Sequence, residues 1–364
     1  MESQRRPRLT PAIADVRRHV RALLPDAGPA PGGGLVLVGL SGGADSLALA
    51  AATAFEAPRA GIRAGAVIVD HALQAGSAGV AAEAARQARE LGLDPVLVLR
   101  VTVEHGTDAG GPEASARTAR YAAFDEALRE TGASHILLGH TLDDQAETVL
   151  LGLARGSGPT SLQGMKPVGG PILRPLLGIR RARTRQFCAD AGLHPWQDPH
   201  NDDPRFARVR VRQTVLPVLE RELGPGVAEA LVRTAGQLRE DSSALDDLAR
   251  TLSEQLSEQL GELLGGQLGD PAGPGIRLAA SRLEANPPAV RQRIVRFAVE
   301  REFGVSLERV HTLAVLRLVT DWHGQKPLDL PGVRVERQDG WLIFTVPGHA
   351  PSKGPSRSHG TPRH

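Results

Sequence analysis

Short apolar runs alternate with longer alanine-rich stretches along the first half of the chain. The runs at 35–40, 64–70, 95–103 and 135–139 are too short for core helices and rich in Val, Leu and Ile, so they predict strands. Helices are predicted between them over 47–52, 80–91 and 113–131. Strand-then-helix alternation implies an α/β, Rossmann-like parallel sheet with helices on both faces. In such sheets ligands bind beyond the carboxyl ends of the strands. Three polar segments fall there: Ser41 to Ser46, Asp70-His71, and His140 to Asp144.

The second half reads differently. Residues 156–170 are rich in Gly, Pro and Ser and predict a loop, a short helix follows around Cys188, and 196–204 is a proline-bounded polar loop. A helical rhythm runs over 211–268, with Leu252, Leu256, Leu260 and Leu264 on one stripe, until glycines break it at 265–275. Helices are predicted at 288–302 and at 306–319, the latter capped by Ser306. Strands at 333–337 and 341–344 are joined through Asp339-Gly340, a hairpin signal. The expected layout is an N-terminal extension and helix over 1–30, a catalytic α/β domain over 31–218, a smaller mainly helical domain over 219–348 ending in a hairpin, and a disordered tail over 349–364.

Composition narrows the classes. A chain of 364 residues favours two domains, and neither a membrane-length apolar run nor a signal-peptide start is present, which predicts a cytoplasmic protein with no membrane partner. The single cysteine, Cys188, excludes an intrachain disulfide and a metal site built from cysteines of one chain, and reads as a small buried helix residue. The net charge of +2 says nothing about nucleic acid by itself. Its distribution says more, because Lys166, Lys326 and Lys353 are the only lysines. Codon bias explains an arginine excess, but Arg205, Arg208, Arg210 and Arg212 also cluster. Aromatics at 3% argue against a multi-base stacking platform, leaving Trp196 and Phe206 as single stacking candidates.

The first polar segment, Ser41-Gly42-Gly43-Ala44-Asp45-Ser46, lies between a strand and a helix. Glycines there let a phosphate approach backbone N–H groups and the positive end of the helix. Serine hydroxyls add donors, and a carboxylate in an anion site makes sense when a divalent cation sits between, so Asp45 points to Mg²⁺. The plainer alternative is a strand-to-helix turn capped by Ser41 or Asp45. The Lys-Ser/Thr of a P-loop and a G-x-G-x-x-G are both missing. The six residues resemble instead the pyrophosphate-binding loop of the ATP pyrophosphatases. In the third segment, His140 and Asp144 are four apart and can face one pocket to hold a metal or move a proton, whereas Asp143 and Glu147 read as helix caps.

Taken with Val69 to Leu73, Glu113 to Tyr121, the Gly139 to Thr148 segment, the Ala154 to Pro159 segment and Trp196 to Asp202, the chain resembles the tRNA(Ile)-lysidine synthetases over most of its length. That resemblance implies an ATP-dependent ligase that joins free L-lysine to carbon 2 of the wobble cytidine in tRNA(Ile) with a CAU anticodon, through an adenylylated base. It implies ATP at Ser41, Gly42, Gly43, Ala44, Asp45, Ser46, Asp70 and His71, and Mg²⁺ at Asp45 and Asp144. Asp45, His140 and Asp144 are the expected catalytic groups, and Arg117, Arg120, Arg155, Arg208 and Arg212 the expected contacts to phosphates of ATP or tRNA. One departure stands out: members often carry Arg-Asn where this chain has Arg208-Val209. A tRNA thiolase shares the adenylylating loop but generally needs cysteines. A homodimer is left open.

Overall fold

The computed structural model describes residues 9–26, 34–72, 76–101, 111–156, 158–198, 202–263 and 275–347. Two compact units divide the chain, Met1–Leu238 and Arg239–His364. The expected tail at 349–364 lies outside the described residues.

The first unit begins with helix α1 (Pro11–Leu23), whose N-cap Thr10 accepts from Ile13 N. There follow β1 (Leu35–Gly39), α2 (Ala44–Glu56), β2 (Arg63–Asp70), α3 (Ser77–Glu90), β3 (Val96–Arg100), α4 (Gly111–Thr131), β4 (His135–Leu138) and α5 (Leu142–Ala154). A short helix α6 (Pro159–Leu162) precedes β5 (Val168–Gly169), β6 (Ile172–Leu173) and α7 (Arg181–Asp190). The sheet order is β3-β2-β1-β4-β6-β5, parallel except for the terminal β5/β6 pair. The α/β reading of the sequence is thereby met, and the loop expected at 156–170 contains β5.

Strand β1 is central because both faces are covered. Val36 and Val38 pack on one side with Ile13, Val16 and Leu49, while Leu35 and Leu37 pack on the other with Phe124 and Ile136. Alternate side chains point to opposite faces, so a continuous apolar run is what a doubly covered strand requires. The register places the ends of β1, β2 and β4 side by side, with Gly39 opposite Val67 and Leu138.

The helical stretch expected over 211–268 is not continuous. Helix α8 (Ala207–Arg210) runs into a π-helical turn at Val211–Val215 and then α9 (Leu216–Leu223). Gly224 and Gly226, both at positive φ, end that run, and α10 (Val227–Leu263) starts afresh. Glu220 caps the new start by accepting from Gly226 N, Val227 N and Ala228 N.

In the second unit a four-stranded antiparallel sheet, β7 (Gly275–Ala279), β8 (Leu328–Leu330), β9 (Val333–Gln338) and β10 (Trp341–Thr345), has the order β7-β10-β9-β8. The sequence pattern predicted only β9 and β10. Helices α11 (Ala280–Glu284), α12 (Pro288–Phe303) and α13 (Arg309–Thr320) share its core, in which Ile294, Val315, Val335 and Phe344 are fully buried. The expected Ser306 cap is corrected: α13 starts at Arg309 with Glu308 as N-cap. Leu307, 5% exposed, anchors the preceding segment in the core and holds it extended.

Candidate active site at the strand ends

The turn after β1 has the geometry of an anion cradle. Gly43 is the N-cap of α2, and no side chain caps the helix. Neither Ser41 nor Asp45 fills the capping role that an ordinary turn would give it, so the first N–H groups of α2 stay available to an anion. Ser46 Oγ donates to Gly43 O at 3.0 Å and accepts from Ser41 N at 3.2 Å, and the two serine hydroxyls lie 3.1 Å apart. These bonds fix the loop from within. Gly42 sits at φ +83°, a conformation that favours glycine, and its carbonyl accepts from Trp196 N at 2.9 Å. Beside Gly42 opens a cavity of about 440 Å³ lined by Val80, Ala84, Gln87, His194 and Trp196 among others.

Carboxylates from two helices meet next to this loop. Asp45, in the first turn of α2, accepts from Thr184 Oγ1 and lies 3.4 Å from Arg181 Nε. Asp144 uses one oxygen in the capping box of α5, where Thr141 N and Oγ1 donate at 2.8 and 2.6 Å, and turns the other to Arg181 Nη2 at 2.8 Å. Burial pushes the Asp45 carboxyl above its ordinary value and the Asp144 charge adds to that, against the pull of Thr184 and Arg181. For Asp144 burial acts in the same sense, but Arg181, the Thr141 bonds and Arg208 outweigh it and leave the carboxyl below its ordinary value. The two groups are thus driven apart in acidity, as in sites where neighbouring carboxylates have different tasks.

Glu147 corrects the expectation of a simple helix cap. It is fully buried and meets Arg181 at 3.3 Å, Arg208 at 3.0 Å and Arg212 at 2.8 Å. Asp143 does cap a helix, though a different one, by accepting from Arg181 N at 2.7 Å at the start of α7. Arg208 and Arg212 are therefore part of the ionic centre. Of their two neighbours, Arg205 pairs with Asp203 and Arg210 donates to Pro204 O and Arg205 O. Val209, at the position that departs from the family pattern, is 6% exposed and packs inward.

His140 lies two residues past the end of β4. Burial pushes its pKa down to about 4 against the pull of Asp144, and its buried Nδ1 has no hydrogen-bond partner among the described residues. The ring is neutral at pH 7 and carries a buried, unpaired Nδ1. Since the unfolded chain protonates first, the stability His140 contributes is complete above about pH 6.5 and is lost as pH falls toward 4. His140→Gln should flatten that part of a denaturant-stability profile, and an unchanged slope would contradict the placement. Asp70, at the end of β2, accepts from Ala72 N at 3.0 Å, which holds its carboxyl low. His71 lies 3.4 Å from Arg120 Nε, and burial lowers its pKa. Arg117 stacks over the Tyr121 ring at 4.8 Å, while Arg155 is exposed at the end of α5.

Sequence reasoning missed Arg181, Thr184 and the role of Glu147. The signal for Glu147 was present, since an acid one turn after Asp144 shares its helix face. Nothing local distinguishes Arg181 and Thr184 from other residues of an arginine-rich helix. Gly139 packs directly against the loop: a Cβ there would lie 3.0 Å from Asp45 C, Asp45 O and Ser46 N. Gly139→Ala should displace the loop by some tenths of an ångström and lower kcat/KM roughly tenfold while the chain stays folded. Wild-type kinetics would show that the loop tolerates the methyl group.

The cysteine is no part of the centre. Cys188 is buried, donates to Ala44 O at 3.4 Å, and its pKa is pushed up to about 12 by burial and the nearby Asp45 charge. Among the described residues no helix is long and apolar enough to cross a membrane.

Comparison with known proteins agrees with this geometry. Residues 14–219 match the family model of the PP-loop domain, and residues 278–343 that of the TilS substrate binding domain. A curated tRNA(Ile)-lysidine synthase from Leifsonia xyli subsp. xyli is 66% identical over 87% of this chain and 91% of its own. Those from Thermobifida fusca and Streptomyces coelicolor are 50% and 49% identical, each over 92% of this chain and 98% of its own. A solved U34-tRNA thiolase from Methanococcus maripaludis shares the fold, at 20% identity and TM-score 0.53, over 63% of this chain and 80% of that one. With a PP-loop domain match over residues 14–219 and relatives of this identity along nearly the whole length, the chain belongs to the tRNA(Ile)-lysidine synthase family.

Proposed function

We propose that this protein is an ATP-dependent ligase that converts the wobble cytidine of the CAU anticodon of tRNA(Ile) to lysidine. The observation that carries the reading is the uncapped start of α2 behind Ser41–Ser46, with Asp45 and Asp144 both within reach of Arg181. Oxygen 2 of the cytosine attacks the α-phosphorus of ATP and pyrophosphate leaves. The lysine ε-amine then attacks carbon 2 and AMP departs, after which the tRNA reads AUA.

The residues divide this work. Backbone N–H groups at Gly42 to Ser46 and the dipole of α2 face the leaving pyrophosphate, where charge develops. Asp45 and Asp144 suit Mg²⁺, which takes one or two carboxylates and completes its shell with water and phosphate oxygens. When bound, that ion neutralises charge on the phosphates. The cavity beside Gly42 has the size of an ordinary small-ligand site and would take part of the nucleotide, with Asp70 and His71 near the end of β2. Lysine must attack as a neutral amine. His140, neutral and with an unpaired Nδ1, is the proposed acceptor for its proton, and phosphate charge bound nearby would raise its low pKa.

Arg117, Arg120 and Arg155 are the proposed contacts to phosphates, while Arg208 and Arg212 act from the Glu147 centre. We assign 31–218 to catalysis and 219–348 to tRNA binding, the latter supported by the family match at 278–343. A tRNA substrate fits a cytoplasmic enzyme. A thiolase reading is weaker, because Cys188 is the chain's one thiol and is held protonated. Pyrophosphate release from ATP tests the scheme: it should require the isoleucine tRNA transcript. Release at the same rate without tRNA would point to a small-molecule acceptor.

A further inference from the structure

The charges around Glu147 are unequally shared. Glu147 alone has three guanidinium partners, Arg181, Arg208 and Arg212. Asp45, by contrast, has only Arg181 within ion-pair distance among the described residues, and Asp144 has Arg181 at 2.8 Å with Arg212 farther off at 3.7 Å. Glu147 would remain doubly paired without Arg181, whereas Asp45 would lose its counter-charge. One guanidinium therefore spans the two carboxylates that the proposed function assigns to the divalent ion. It is held there by the backbone of its own helix, since Arg181 N donates to Asp143 Oδ2 at 2.7 Å. Three residues on, Thr184 fixes Asp45 Oδ1, so the oxygen turned toward Arg181 is Oδ2.

Two half-buried carboxylates this close repel each other, and without a cation between them the ligand-free site is destabilised. A site left open to any free divalent ion would also fill without nucleotide. We propose that Arg181 is a stand-in cation: in the ligand-free enzyme its guanidinium neutralises Asp45 and Asp144, and it yields them when metal enters together with ATP while keeping its bond to Glu147. The shift gives up the 2.8 Å bond to Asp144 but does not leave Arg181 unpaired, because Glu147 already accepts from both of its terminal nitrogens at 3.3 Å. Metal alone must compete with a tethered guanidinium. Metal with ATP brings the extra phosphate contacts at the α2 N-terminus that favour the exchange.

The inference rests on the assignment of the metal to Asp45 and Asp144, and the test separates the two. Mn²⁺ alone, without nucleotide, is titrated into the full chain and free Mn²⁺ is read from its electron paramagnetic resonance signal. Arg181→Gln should bind one Mn²⁺ at least tenfold more tightly than wild type, and the double variant with Asp45→Asn should lose that gain. Arg181→Lys keeps a cation for Glu147 but is too short to span both acids, so it should tighten binding in the same direction. It carries the test if Arg181→Gln does not fold. Binding no tighter than wild type in the folded variants would overturn the stand-in role and leave the metal assignment standing. A gain that survives Asp45→Asn would place the ion elsewhere and overturn both.

Discussion

Asp45→Asn should lower kcat/KM for lysine ligation by about 10³-fold, because it removes the charge that pairs with the metal–phosphate complex beside the pyrophosphate cradle. The same substitution should not lower the melting temperature. Asp45 is already forced toward its neutral form by burial and by Asp144, so an amide relieves repulsion while still accepting from Thr184. Loss of activity with an undiminished melting point is the signature of a functional carboxylate held at a cost to stability. Steady-state kinetics and thermal denaturation on one preparation check it. A variant that is destabilised yet still active would mean that Asp45 is structural.

Glu147→Gln should have the largest effect on stability. It leaves Arg208 and Arg212, themselves partly exposed, pointed at a neutral amide at a position that is fully buried, and breaking a buried pair by removing one partner costs about 3–5 kcal/mol. For a domain of this size the melting temperature should fall by roughly 10 °C. Alanine should cost at least as much, since it removes the buried side-chain volume as well as the charge. Glu83→Gln, at an exposed pair with Arg86 on α3, is the control and should leave the melting temperature unchanged. Equal effects at both positions would contradict the buried ionic centre.

How far the sequence disclosed this arrangement depended on the range of each interaction. The Ser41–Ser46 turn was legible because its function is local: a strand end, glycines and a helix start lie in one stretch of chain. The parallel sheet was legible through the doubly covered strands β1 and β2, whose apolar runs stand out between alanine-rich helices. Arg181 and Thr184 were not legible, since each reaches a carboxylate more than thirty residues away in sequence and its own helix looks like any other basic surface helix. The pairing of Arg208 and Arg212 with Glu147 was hidden for the same reason, spanning 61 and 65 positions. In the second unit, β7 and β8 escaped because short strands bounded by glycine and proline carry little periodicity of their own and are completed by β10 and β9. The cap misassigned to Ser306 shows tertiary packing overriding a local signal, with Leu307 committed to the core.

The most direct measurement is transfer of radiolabelled lysine to a transcript of isoleucine tRNA with the CAU anticodon, in the presence of ATP and Mg²⁺ and with a methionine tRNA of the same anticodon alongside. The account predicts label in the isoleucine tRNA alone, dependent on ATP and lost with Asp45→Asn. Pyrophosphate release without incorporation of label would contradict it, keeping the adenylylating fold but rejecting lysine as the nucleophile.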